Sequence, residues 1–124
     1  MRKEPRNPYD ALERIFHEPN RLAIMSVVCA ADQGVSFTEL KAACDLTDGN
    51  LNRHLKVLEE TGAVAIKKTF VKAMPRTTIH MTKGGLERFN EYLAALSDVL
   101  KQAKRSLPAE KRSATAPLGR TVRT

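Results

Sequence analysis

The feature that most constrains this chain is the run from Ser36 to Gly62, in which two cappable helical segments flank a short turn. Ser36 with Glu39, or Thr38 alone, supplies the N-cap of a helix reaching Cys44, because a short hydroxyl accepts from the free N–H groups of a first helical turn. Asp45-Leu46-Thr47 then makes a tight turn, and Thr47 or Asp48 caps a further helix over about residues 47–60. On that helix Leu51, Leu55 and Leu58 recur at helical spacing and point inward together, with His54 flanking them. Gly62 stands where a left-handed C-terminal cap belongs.

Two helices joined in this way form a helix-turn-helix, and the flanking sequence says what surrounds it. Upstream, Asp10 and Glu13 read as a capping pair for a short helix carrying Leu12, Ile15 and Phe16, which stops before Pro19. A second helix is expected from about Asn20 to Ala31, with Ile24, Val27, Val28 and Ala31 in a stripe and most other positions also apolar. Such a helix belongs at the centre of a small domain, and Cys29 on it reads as a small buried hydrophobe. Gly34 ends it, and Val35 to Phe37 is β-prone but short. Downstream, Val64 to Thr69 and Thr77 to Met81 are β-rich runs joined by Phe70 to Arg76. A hairpin after a helix-turn-helix makes a winged helix.

Thr82 caps a long helix from Lys83 to about Arg105. Its apolar positions Leu86, Phe89, Leu93, Leu96, Leu100, Ala103 and Leu107 alternate spacings of three and four, which is a heptad seam. A seam of about 30 Å, widened by Tyr92 and Val99, exceeds what one small domain covers. Self-association through Leu86, Phe89, Leu93, Leu96 and Leu100 is therefore expected. The expected fold class is mainly α with a small β-hairpin wing. Residues 1–9 read as a flexible arm, 10–82 as the winged helix-turn-helix, 83–107 as the dimerisation helix and 108–124 as a flexible basic tail.

The chain has 124 residues, enough for one compact domain. The longest uncharged run of its first half, Leu22 to Ala31, falls well short of the roughly 20 apolar residues of a membrane span. The first sixteen residues lack the apolar segment of a secretory signal, and two cysteines without C-x-x-C spacing make no disulfide framework. A cytoplasmic protein is expected. The net charge of +7 resides largely in the ends, +2 in residues 1–9 and +3 in residues 106–124, leaving +2 for the body. Within the body, residues 47–76 hold a local +3.

With its leucines hidden, the 47–60 helix presents Asp48, Gly49, Asn50, Asn52, Arg53 and Lys56. In a DNA major groove Asn makes bidentate bonds to adenine and Arg to guanine. Thr47 and Gly49 lie at the helix N-terminus, where the dipole favours a phosphate. Asp48 reads as a cap or as an acceptor from cytosine. Lys67 and Lys68 on the hairpin read either as phosphate contacts or as the lysines that blunt an exposed strand edge. His17, His54 and His80 are scattered over different elements, so no shared metal site is expected, and Cys44 reads as a packing residue. No nucleophile–base constellation or phosphate loop is present, which argues against catalysis. No cofactor is expected.

The stretch from Val35 to Leu40, then Leu46 to Gly62, closely resembles winged helix-turn-helix transcriptional regulators of the MarR/ArsR type. Pro75-Arg76-Thr77-Thr78 followed by Met81-Thr82-Lys83-Gly84-Gly85 matches the same group. The resemblance covers about residues 10–105 and implies a homodimer that binds operator DNA, often as a repressor released by an effector. The sequence departs from the group at Phe70-Val71-Lys72-Ala73-Met74, where wing tips are often Gly- and Arg-rich; Lys67, Lys68, Lys72 and Arg76 then serve as phosphate contacts. Metal-sensing members carry two or more cysteines in the first helix of the motif, and here that helix holds Cys44 alone. The expected function is sequence-specific binding of double-stranded DNA by a homodimer at a palindromic site. The alternatives are a non-specific architectural DNA binder and a protein-interaction module, the latter favoured if Phe70, Val71 and Met74 form an apolar patch.

Overall fold

The computed structural model describes residues 13–109. Four helices and a three-stranded sheet follow in the order α1 (Pro19–Ala30), β1 (Val35–Ser36), α2 (Phe37–Cys44), α3 (Asp48–Glu60), β2 (Val64–Val71), β3 (Met74–Met81) and α4 (Lys83–Ser106). The expected arm at 1–9 and most of the tail at 108–124 lie outside the described residues, as do Asp10 and Leu12. The described part of the first expected helix is instead a single turn, closed by the Phe16 and His17 N–H groups on the Glu13 carbonyl at 3.1 and 3.0 Å. Its function in the fold is to deliver Phe16, which is fully buried.

Local chemistry sets the element ends. Ser36 and Glu39 form a reciprocal capping box at α2, Thr47 Oγ1 accepts from the Asn50 N–H at 3.1 Å to open α3, and Thr82 Oγ1 accepts from the Gly85 N–H at 2.8 Å to open α4. Gly62 turns the chain out of α3 with φ of +82°, a conformation that a Cβ disfavours. The sheet is antiparallel in the order β1-β3-β2. The hairpin strands run longer than the sequence runs suggested, closing on a two-residue turn at Lys72-Ala73, both at positive φ. Pro75 is tolerated in β3 because the Val71–Met74 pair closes the hairpin, so the next pair, Phe70–Pro75, needs no N–H from proline. On its other side β3 meets β1 only at Thr78 and Ile79.

The core lies where α1, α2, α3, the base of the hairpin and the first half of α4 converge, around Ile24, Leu40, Leu51, Leu58, Ile79 and Phe89. α1 is not central. It buries Ile24, Met25 and Val28 on one side and leaves Cys29 exposed on the other, contrary to the expectation for that cysteine. α4 is anchored by an aromatic group: Phe16 meets Phe89 edge-on at 5.4 Å, Phe89 stacks on Tyr92 at 6.1 Å, and Arg88 lies over Phe16 while pairing with Glu13 at 3.0 Å. At its start, a Cβ on Gly85 would collide with the Ala63 carbonyl oxygen, so glycine is what lets α4 press onto the α3–β2 junction.

This docking divides the heptad seam. Phe89, Tyr92 and Ala95 are buried in the protomer's own core and Leu96 packs against its edge. Leu86, Leu93 and Leu100, seven residues apart, remain 47, 41 and 57% exposed. Phe89 thus has no surface left for a partner, because the turn at Glu13–His17 brings Phe16 against it. Among the described residues no helix is long and apolar enough to cross a membrane.

Candidate nucleic-acid interface

α3 is the best-fastened polar surface of the molecule. Leu51, His54, Leu55 and Leu58 are buried, while Thr47, Asp48, Gly49, Asn50, Asn52, Arg53 and Lys56 are all exposed, as the leucine spacing dictates. Thr47 is the N-cap, so Asp48 is released from that task and pairs instead with Lys41 at 2.7 Å, tying α2 to the first turn of α3. Asp48 is thereby neutralised rather than presented as a lone anion. Asn50 Oδ1 accepts from Arg53 Nη2 at 3.0 Å, which holds the two side chains as one hydrogen-bonding unit on the exposed face. In that arrangement the Asn50 amide N–H groups and the remaining Arg53 donors point to acceptors outside the protein.

Sequence spacing did not reveal how α3 is oriented on the domain. His54 is 4% exposed, and its Nδ1 lies 3.2 Å from Arg21 Nη1 and 4.0 Å from Glu18 Oε1. Arginine only donates, so Nδ1 accepts and the imidazole is neutral with its proton on Nε2. Burial holds the His54 pKa below its ordinary 6.5; Glu18 opposes that shift, while Arg21 and Arg53 add to it. Arg21 Nε also donates to the Ile15 carbonyl at 2.7 Å, and Glu18 Oε1 caps α1 by accepting from the Arg21 N–H at 2.7 Å. The recognition face therefore rests on a polar clamp reaching back to α1. The one sequence hint was Glu18 before Pro19, which is not a usual N-cap residue.

The hairpin carries its cations differently. Lys67, Lys68, Lys72 and Arg76 are all exposed. Register puts Lys67 opposite Thr78 and Arg76 opposite Thr69, on one face of the ribbon, whereas Lys68 opposite Thr77 lies on the other and Lys72 sits in the turn. The four surround the ribbon rather than line one face. Residues 64–81 contain no Asp or Glu, so nothing on the hairpin offsets them.

Other candidates are quieter. Burial pushes the Cys44 thiol up, which keeps it protonated and suits a packing role. Among the described residues no group of three or more His, Cys, Asp or Glu side chains is placed to hold a metal ion. A concavity of 300 Å³ between α1 and α4 is lined by His17, Glu18, Pro19, Leu22, Tyr92 and Leu96, with Tyr92 Oη and His17 Nδ1 joined at 2.9 Å.

A capped and clamped recognition helix, a basic hairpin directly after it and a long helix closing the domain define a winged-helix protein of the MarR type. Residues 20–100 match the winged helix DNA-binding domain family, and the chain belongs to it. It is 38% identical over 80 residues to an uncharacterized protein of Methanocaldococcus jannaschii, a match spanning 64% of this chain and 86% of that one. The structure of a transcriptional regulator homologue from Pyrococcus horikoshii OT3 is 32% identical, with a TM-score of 0.68 over 73% of this chain and 89% of its own. The transcriptional repressor CouR, solved bound to a 23-mer DNA duplex, shares the fold at 15% identity, with a TM-score of 0.66 over 92% of this chain and 84% of its own. The chain is accordingly a transcriptional regulator by family, not an enzyme.

Proposed function

We propose that the protein is a sequence-specific repressor that binds a palindromic operator as a homodimer. The observation that carries this reading is the exposed Asn50, Asn52, Arg53 and Lys56 face of a helix whose opposite side is locked by three leucines and the His54 clamp. A rigid helix holds such side chains in one register for base edges. Thr47 and Gly49 place N–H groups at its N-terminus for a phosphate, and Lys67, Lys68, Lys72 and Arg76 supply further backbone contacts. Leu86, Leu93 and Leu100 form the stripe for a second copy, and a two-fold pair sets its recognition helices about 34 Å apart, one turn of DNA. The concavity at His17 and Tyr92, largely apolar with one polar pair, suits a small effector.

Selection of bound fragments from sheared genomic DNA, at near-physiological salt, tests the reading. Enrichment of an inverted repeat with half-sites about ten base pairs apart is the expected result. Binding without enrichment would put the architectural reading first. Leu93→Glu is expected to give a monomer by sedimentation and to abolish tight binding; a dimer that persists would remove the α4 stripe from the interface. The exposed Phe70, Val71 and Met74 are the observation that favours a protein contact instead. The unbroken positive charge around them points back to DNA.

A further inference from the structure

The outer part of the hairpin contributes nothing to the core. β1 meets β3 only at Thr78 and Ile79, so the tip from Thr69 to Arg76 stands beyond the third strand. There Phe70 is 74%, Met74 67% and Val71 45% exposed. Side chains alternate along a strand, so the adjacent pairs Phe70–Pro75 and Val71–Met74 put one apolar pair on each face of the tip. The Val71–Met74 face borders an open cleft of 610 Å³ that separates it from the start of α2. The tip is stiff, with a two-residue turn and a proline beside it. Around it stand Lys67, Lys68, Lys72 and Arg76, with no carboxylate anywhere on the hairpin.

An apolar point inside a basic collar has one partner that satisfies both parts. A DNA duplex offers phosphates on either side of a groove whose floor is the apolar edge of stacked bases. Phe, Met and Pro side chains entering the minor groove partly unstack a base step and kink the duplex. We propose that the wing tip is such a wedge: Phe70 and Met74 press into a base step from the minor groove while the four cations hold the flanking phosphates, so that the protein bends its site. The wedge rests on the reading of the chain as a DNA-binding regulator and adds a source of specificity to it. Pyrimidine–purine steps, which kink most readily, are favoured under the wing without any hydrogen bond to a base.

The test uses the full chain and the fragment obtained by genomic selection, labelled for end-to-end energy transfer and carrying 2-aminopurine at steps across the protected region. The wild type is expected to bend the fragment by roughly 20–90° and to raise 2-aminopurine fluorescence at one step in each half-site. The double variant Phe70→Ala, Met74→Ala is expected to bind about tenfold more weakly, to lose both signals, and to keep the salt dependence set by the cations. Phe70→Trp should restore them. Wild-type binding to straight DNA, or a double variant that bends and unstacks like the wild type, overturns the wedge and leaves the regulator reading intact. A wild type that binds no fragment overturns both. If the double variant instead abolishes capture of a protein and leaves the bend unchanged, the tip is a protein-docking surface and the wedge is wrong.

Discussion

α3 and the hairpin carry similar charge but are built on opposite principles. α3 contributes a buried row, Leu51, His54, Leu55 and Leu58, and is fastened at its start by the Lys41–Asp48 pair and along its length by Arg21. Its exposed side chains are consequently fixed in space. The hairpin buries only its base, at Val64 and Ile79, and projects the rest. Base readout demands side chains held to within a hydrogen bond's tolerance, whereas phosphates accept a charge from many geometries. The contrast teaches that the domain places precision where it has a core beneath it and reach where it has none.

The sharpest way to break this comparison is to cut the support of each region. Leu55→Ala should cost about 2–5 kcal/mol of stability, because the cavity opens under α3. Phe70→Ala should change stability by less than about 0.5 kcal/mol, although it is the larger side chain. Urea unfolding of the two variants decides it; a comparable loss in both would mean that the hairpin tip is packed after all.

Binding should separate the regions next. Arg53→Ala is expected to cost about 1–3 kcal/mol and to relax preference at one base position, while Lys68→Ala weakens all sequences alike and lowers the salt slope by about 1. Titrations against the selected site and point-mutated copies of it distinguish these outcomes. Equal losses on every sequence for Arg53→Ala would move that residue from the bases to the backbone.

The clamp beneath α3 carries a pH signature that the hairpin lacks. The folded protein holds His54 neutral with its pKa lowered, whereas in the unfolded chain the ring takes a proton near its ordinary 6.5. The contribution is therefore complete above that pH and is lost as pH falls from there through the folded value, since the unfolded state then binds more protons. His54→Gln should flatten stability across this acidic range, measured by thermal unfolding against pH. A curve with the wild-type slope would assign the acid sensitivity to other groups.

The smallest effect belongs to the hairpin turn. Lys72 and Ala73 sit at φ of +53° and +67°, where a Cβ is disfavoured. Ala73→Gly should yield a net gain below about 1 kcal/mol, visible as a modest rise in melting temperature.

Much of the molecule was legible because it rests on contacts within a few residues. The caps at Ser36, Thr47 and Thr82, the left-handed exit at Gly62, the inward leucines of α3 and the order of the elements all follow from groups three or four positions apart. Distant contacts were not written in that code. The leucine pattern left His54 beside the buried row, and only the packing of α1 against α3 placed it within reach of Arg21 and Glu18. The apolar run of α1 suggested burial on every side, yet its neighbours cover one side and Cys29 faces out. The heptad spacing of α4 was read correctly as a pattern, but spacing does not say which neighbour a stripe meets. Phe16, brought in from the far end of the chain, claimed Phe89 and Tyr92 for the protomer and left Leu86, Leu93 and Leu100 outside. Helix, turn and cap are decided by the free energy of neighbouring residues and so are present in the sequence; burial is decided by what another element brings to the contact, and only the tertiary structure contains that.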